Sequence, residues 1–152
     1  MIKTVIVPDS SLILYAYNST SREHEAAKHW WENLLSGDES IGLVHPVIFS
    51  FLRVSTNPRA FSRPLSLSHA TELIEEWLER KNSRLLLESQ SHVSQVINIL
   101  TTAGSSGGNL VVDAQIAAIA IAHKAIVHTA DRDFMRFREL NCYYPLDDSK
   151  RK

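Results

Sequence analysis

Apolar positions along the chain fall into short β-branched runs that alternate with longer stretches of three- and four-residue spacing. Residues 2–7 (IKTVIV) form the first run, closed by Pro8, whose missing N–H suits a strand end. Asp9 is thereby placed at the carboxyl end of a buried strand. Residues 12–17 read as a short apolar helix. Ser21 reads as the N-cap of a second, in which Ala26, Ala27, Trp30, Trp31, Leu34 and Leu35 form a core-facing stripe that stops at Gly37. A second strand follows at 41–44, then an apolar helix over 46–55 that breaks at Asn57-Pro58. Residues 56–64, with Arg59 and Arg63, read as a structured loop with a positive face. Ser66 or Ser68 caps the next helix, which carries Ala70, Leu73, Ile74, Trp77 and Leu78 at helical spacing. A third strand is expected at 84–87, a helix through Val93, Val96, Ile97 and Leu100, and a flexible GSSGG segment at 104–108. A further helix covers 110–123, a fourth strand 126–129, and Tyr143 and Tyr144 close the sheet.

Strands separated by helical segments imply parallel neighbours joined by crossovers, with helices on both faces. The expected fold is α/β, a three-layer α/β/α sandwich with a mostly parallel central sheet. It forms a single domain over residues 1–146, followed by a short charged tail, 147–152, whose Lys150, Arg151 and Lys152 are expected to fray. At 152 residues and 44% apolar content the chain is long enough to bury one sizeable core, and its 22% charge and 5 Gly and 5 Pro exclude disordered or low-complexity classes. A net charge of -1 excludes coating nucleic acid by bulk electrostatics. Cys142 is the single cysteine, so an intramolecular disulfide is impossible and a reducing compartment fits. No apolar run approaches the ~20 residues that span a bilayer, and residues 1–8 lack a secretory pattern. A cytoplasmic protein with no membrane association is the expectation.

In an open parallel sheet ligands bind beyond the carboxyl ends of the strands, and two strands here run into Asp9 and Asp131. Each has a plainer reading, Asp9 as a helix cap and Asp131 as a turn opener. Asp113 is a sharper signal. Between positions 110 and 122 only Asp113 and Gln115 are polar, and Ile116, Ala117, Ala120 and Ile121 share the face of Asp113. A carboxylate on an apolar face must be protonated, paired or bound to a cation, unless it simply serves the helix N-terminus as a first-turn acid. If that helix packs across the strand ends, Asp113 meets Asp9, Asp131 and the nearby Asp133. Oxygen-only ligands favour Mg²⁺ or Mn²⁺, with Asp9 and Asp113 direct and Asp131 acting through water. Such a site suits phosphodiester hydrolysis. Arg53, Arg59 and Arg63, with Arg132 and Arg136, are candidates for phosphate contact, each also readable as a solvated surface charge. The dispersed histidines do not suggest zinc, since His24 and His29 are five apart. The glycine-rich segment lacks the Lys of a phosphate loop. The three tryptophans sit at core spacing.

The segments 7–17 (VPDSSLILYAY), 51–59 (FLRVSTNPR), 108–120 (GNLVVDAQIAAIA) and 129–134 (TADRDF) together resemble the PIN domain, in its VapC toxin branch with a TNPR segment. The resemblance spans nearly the whole chain in the right order. It implies a metal-dependent endoribonuclease, the toxin of a toxin–antitoxin pair, acting on RNA with Mg²⁺ or Mn²⁺, often as a homodimer and bound by a cognate antitoxin. It implies Asp9, Asp113 and Asp131 as the catalytic metal-binding acids, with Asp133 in support and Thr129 as a hydroxyl near the metal. Arg53, Arg59 and Arg132 are then the contacts to RNA or antitoxin. Two positions depart from the pattern: Ser11 stands where Asn is common, its hydroxyl offering polar support, and Ser50 stands where many relatives carry Glu. These departures motivate an alternative, a catalytically silent PIN-like module that binds RNA or protein. A third reading is a related phosphohydrolase acting on DNA.

Overall fold

A computed structural model describes residues 4–147. The expected tail at Lys150 to Lys152 lies outside the described residues, as do Ile2 and Lys3 of the first predicted run. Five strands form one sheet in the order β3-β2-β1-β4-β5, all parallel. The elements run β1 (Val5–Pro8), α1 (Ser10–Tyr17), α2 (His24–Ser36), β2 (Ser40–Leu43), α3 (His45–Ser55), α4 (Leu67–Glu79), β3 (Ser83–Leu85), α5 (His92–Thr102), α6 (Leu110–Ala122), β4 (Ile126–His128), a 3-10 turn (Arg132–Arg136) and β5 (Asn141–Tyr143).

Right-handed crossovers fix the layers. The chain steps from β1 to β2 to β3 in one direction through α1–α4, then returns across the sheet to β4 and β5 through α5 and α6, which therefore cover the opposite face. α1 packs on α2 and α3, and α5 on α6. The direction of winding reverses between β1 and β4, and that is where a doubly wound sheet opens a ligand crevice at its carboxyl edge.

The expected strand end at Pro8 lies inside β1, paired with His128. The Asp9 N–H continues the ladder to the His128 carbonyl (2.8 Å), so Pro8, one residue earlier, faces the β2 side, where pairing has already stopped at Ile6 and Ile41. No ladder donor is missed. The core on the α1–α4 face is aromatic. Trp31 and Trp77 are buried edge-to-face at 5.3 Å, and both indole N–H groups donate to the Tyr17 hydroxyl at 3.2 Å. Packing is thus the role of Trp31 and Trp77. On the other face α6 is walled in by its own composition: Ala114 and residues 116–120 are all buried.

One helix cap differs from the sequence reading and another is decided by the structure. Ser21 does not cap α2; its hydroxyl accepts from the Glu23 N–H and donates to the Glu23 carboxylate, a local turn that leaves Glu23 as the flanking residue. Of the two candidate caps for α4, Ser66 is the one that accepts from the His69 N–H, at 3.0 Å.

Candidate active site

The carboxyl edge between β1 and β4 is lined by acids delivered from three elements. Asp9 follows β1 and is 3% exposed. Its Oδ2 accepts the Thr129 hydroxyl at 2.7 Å and the Ser11 hydroxyl at 2.8 Å. Burial pushes the Asp9 carboxyl above its ordinary range, against the pull of those two hydroxyls and the Ser10 N–H, while the Asp131 charge pushes it further up. Thr129 accepts in turn from the Asp131 N–H at 2.9 Å, and Ser11 Oγ accepts from the Ala130 N–H at 3.4 Å. Ser11, read as polar support in place of an amide, therefore ties the end of β1 to the loop after β4.

Asp113 lies in the first turn of α6 and is half-buried rather than enclosed, because the turn opens toward the edge, leaving Val111 and Val112 partly exposed. Its carboxyl is raised to about 7, first by burial and then by Asp9, Asp131 and Asp133. Asp131 caps the 3-10 turn by accepting from the Asp133 N–H at 2.9 Å. The turn opener and the functional candidate are the same residue. That turn is pinned by Phe134, fully buried and edge-to-face on Phe137, so the direction of Asp133 is set by the core beneath it. The Tyr144 hydroxyl donates to the Asp131 carbonyl at 3.1 Å and anchors the loop from β5.

Asp113, Asp131 and Asp133 each offer a carboxylate oxygen, and these three oxygens lie within 4.8 Å of one another. Asp9 stands behind them, its hydroxyl-bonded carboxylate acting on Asp113 through its field. Asp133, the least of the four acids in the sequence reading, thus lies within the trio, and Asp9 acts on Asp113 from beside it. All the donors are oxygens, and burial together with the neighbouring carboxylates holds a proton on Asp113 near neutrality. Both features fit a hard divalent cation, since one ion would remove the repulsion that the cluster now suffers.

The predicted arginines divide. Arg53 is exposed on α3, and Arg59 is exposed on a loop stiffened by Asn57, whose side chain accepts the Arg59 N–H at 3.0 Å, and by buried Phe61. The Thr20 and Ser62 hydroxyls, 3.0 Å apart, tie this loop to the α1–α2 turn. Arg132 instead lies over the Tyr144 ring at 4.2 Å and pairs with Asp147. Ser50 is partly buried on α3, which packs against α6.

Sequence reading missed two groups at this edge. His128 ends β4, and its Nδ1 accepts the Trp30 indole N–H at 3.1 Å, while burial lowers its pKa to about 4. It is a neutral, fixed ring, and nothing in a lone His at a strand end signals that. Tyr15 on α1 was read only as a helix position; its phenol is raised by burial and by the charges of Glu23 and Asp131, and it lines one cleft with Glu23.

The PIN domain model matches residues 6–140. Ribonuclease VapC33 of Mycobacterium tuberculosis is 35% identical over 142 residues, 93% of this chain and 99% of that protein. Ribonuclease VapC37 of the same organism is 34% identical over 131 residues, 86% and 90% of the two chains. Among solved structures, VapBC-1 from nontypeable Haemophilus influenzae superposes with a TM-score of 0.67 at 16% identity, covering 95% of this chain and 100% of that one. The sarcin-ricin loop cleaving toxin VapC20 of M. tuberculosis gives 0.65 at 16% identity, covering 90% and 98%. With its acids at the switch point of a parallel sheet and relatives of this kind over nearly its full length, the chain belongs to the PIN domain family.

Proposed function

We propose that this protein is an endoribonuclease that hydrolyses RNA phosphodiester bonds with Mg²⁺ or Mn²⁺, as the toxin of a toxin–antitoxin pair in the cytoplasm. The observation that carries the reading is the convergence of Asp113, Asp131 and Asp133 in front of Asp9 at the β1–β4 edge of a PIN fold. Curated relatives bearing the name ribonuclease, and neighbours solved as VapBC assemblies, support the activity and the antitoxin partner.

Asp113, Asp131 and Asp133 would hold the cation, with Asp9 fixing the floor through Thr129 and Ser11. A divalent ion bound there supplies charge stabilisation at the phosphate and a more acidic water. The chain's own part is preorganisation. The Thr129 and Ser11 hydroxyls keep Asp9 in one orientation, the Asp131 cap and buried Phe134 aim Asp133, and the Tyr144 bond to the Asp131 carbonyl keeps the loop from opening. Arg53, on α3, and Arg59, on the stiffened loop tied to the α1–α2 turn, would meet the RNA backbone or the antitoxin. Val93 and Ile97, 72% and 58% exposed on α5, leave an apolar strip for a second copy of the chain.

Incubation of the purified protein with total cellular RNA in Mg²⁺, Mn²⁺ or EDTA, beside Asp113→Asn, tests the reading. Metal-dependent cutting absent in the variant is expected. Intact RNA with folded, antitoxin-free protein would overturn the nuclease and favour the silent binding module that Ser50 suggests. Parallel DNA substrates separate the third reading, since the 2′-hydroxyl distinguishes RNA.

A further inference from the structure

Beside the acids lies a second concavity, a cleft of about 300 Å³ lined by Tyr15, Glu23, Thr129, Ala130, Arg132, Tyr144, Leu146 and Asp147. It shares a wall with the acidic site: Thr129 bonds Asp9, and the chain passes directly from Ala130 in the cleft to Asp131 in the cluster. Whatever sits here is a neighbour of whatever reacts there.

The lining decides the chemistry. Two faces are flat, the Tyr15 ring and the Arg132 guanidinium. The latter is held rigid by stacking over Tyr144 at 4.2 Å and by its ion pair with Asp147. That pairing balances Arg132 against Asp147 and leaves Glu23 as the net charge of the lining, so the cleft does not favour a phosphate. Flat walls of aromatic ring and guanidinium are the surfaces on which unstacked RNA bases lie. The polar group at the rim is Glu23. Its Oε1 accepts from the Ser21 hydroxyl at 2.7 Å, which fixes the carboxylate. A carboxylate only accepts hydrogen bonds. Guanine alone among the four bases presents two adjacent N–H groups on its Watson–Crick edge. Adenine and cytosine place a ring acceptor beside their amino group, and uracil flanks its N–H with two carbonyls.

Building on the nuclease reading, we propose that this cleft is a base subsite that takes guanine of a nucleotide flanking the scissile phosphate, with Glu23 reading its Watson–Crick edge between Tyr15 and Arg132. The acidic cluster then supplies the cut and the cleft its sequence preference. Arg132 acts as a stacking surface rather than a phosphate clamp.

Binding and cleavage are measured separately. Calorimetric titration with guanosine and uridine monophosphates compares ligands of equal phosphate charge and does not require turnover. Guanosine monophosphate should bind on the order of tenfold tighter, the size expected for one bidentate pair. Glu23→Gln should remove that preference while leaving the uridine affinity and the melting temperature unchanged. Equal affinities in the unmodified protein, or a preference that survives in Glu23→Gln, would overturn the subsite. Oligoribonucleotides varied at one position then compare cleavage in the two proteins, and a guanine preference that flattens in the variant is expected. Selective guanine binding by a protein that cuts no RNA would uphold the subsite and overturn the nuclease.

Discussion

Asp113 carries a stability cost that its proposed cation would relieve, and the size of that cost follows from its surroundings. Its carboxyl titrates near 3.8 in the ordinary case and at about 7 in the folded protein, chiefly through burial and then through Asp9, Asp131 and Asp133. Between those two values the folded state binds more protons than the unfolded chain, so this group's contribution to stability falls as pH rises through the window. The penalty is absent below about pH 4 and complete above about pH 7. At about 1.4 kcal/mol for each tenfold change in proton affinity, a fully enclosed carboxyl would be penalised by about 4 kcal/mol. Asp113 keeps part of its surface in water, and screening halves this to about 2 kcal/mol. Asp113→Asn should therefore stabilise the metal-free protein at pH 8 and leave it unchanged at pH 4. For a chain of this size the gain is roughly 4–8 °C in melting temperature. Thermal unfolding in EDTA from pH 4 to 8.5 measures it. Adding Mn²⁺ at a hundred times its Kd should stabilise the unmodified protein at pH 8 by about 2.7 kcal/mol and the variant by far less. A variant less stable than the parent at pH 8, or a gain independent of pH, would refute the reasoning.

Thr129→Val keeps the shape but removes the donor to Asp9 and the acceptor for the Asp131 N–H. A loss of about 1–3 kcal/mol is expected by denaturant titration, larger at pH 8 than at pH 4 because the lost donor favours ionised Asp9. Lys124 closes α6 with φ of 56°, the Lys124 N–H bonding the Ile121 carbonyl and the Ala125 N–H the Ala120 carbonyl, an end that glycine adopts without strain. Lys124→Gly should raise stability by about 1 kcal/mol, read as a higher denaturation midpoint with an unchanged slope.

What could be read in the sequence depended on whether a signal was local. Asp9 and Asp131 were legible because the strand-end rule needs only a β-branched run and the residue after it. Asp113 was legible because one carboxylate interrupts an otherwise apolar helix. Asp133 was ranked last because its direction comes from a 3-10 turn whose geometry rests on Phe134 in the core. No spacing rule carries that information. The third strand, expected at 84–87, is Ser83–Leu85, since its register is set across the sheet. There Leu86 fills the space above Gly42, where an added Cβ would lie 2.5 Å from Leu86 Cδ1. Ser21 was misplaced as a cap because a hydroxyl near a helix start has two backbone N–H groups within reach, and sequence does not choose between them. The Tyr15 and Glu23 cleft was invisible for a different reason. Its walls come from two distant regions of the chain, α1 with the α1–α2 turn and the loop after β4 with the segment after β5, that meet only at the sheet's edge.

The same geometry bears on the two departures from the family pattern. Ser11 offers one hydroxyl where an amide is common, yet that hydroxyl donates to Asp9 and accepts from Ala130, joining the two strand ends that the site needs to keep in register. Ser50 removes one carboxylate from α3. Mg²⁺ typically takes only one or two carboxylates directly and fills the remaining positions with water. Asp113, Asp131 and Asp133 already present three oxygens to one point, with Asp9 adding its field from behind. Another acid nearby would supply coordination that such an ion would not require, while adding to the carboxylate repulsion that, after burial, helps lift Asp113 to about 7. On charge grounds, serine at position 50 spares the folded state that repulsion and leaves the trio its full set of oxygens.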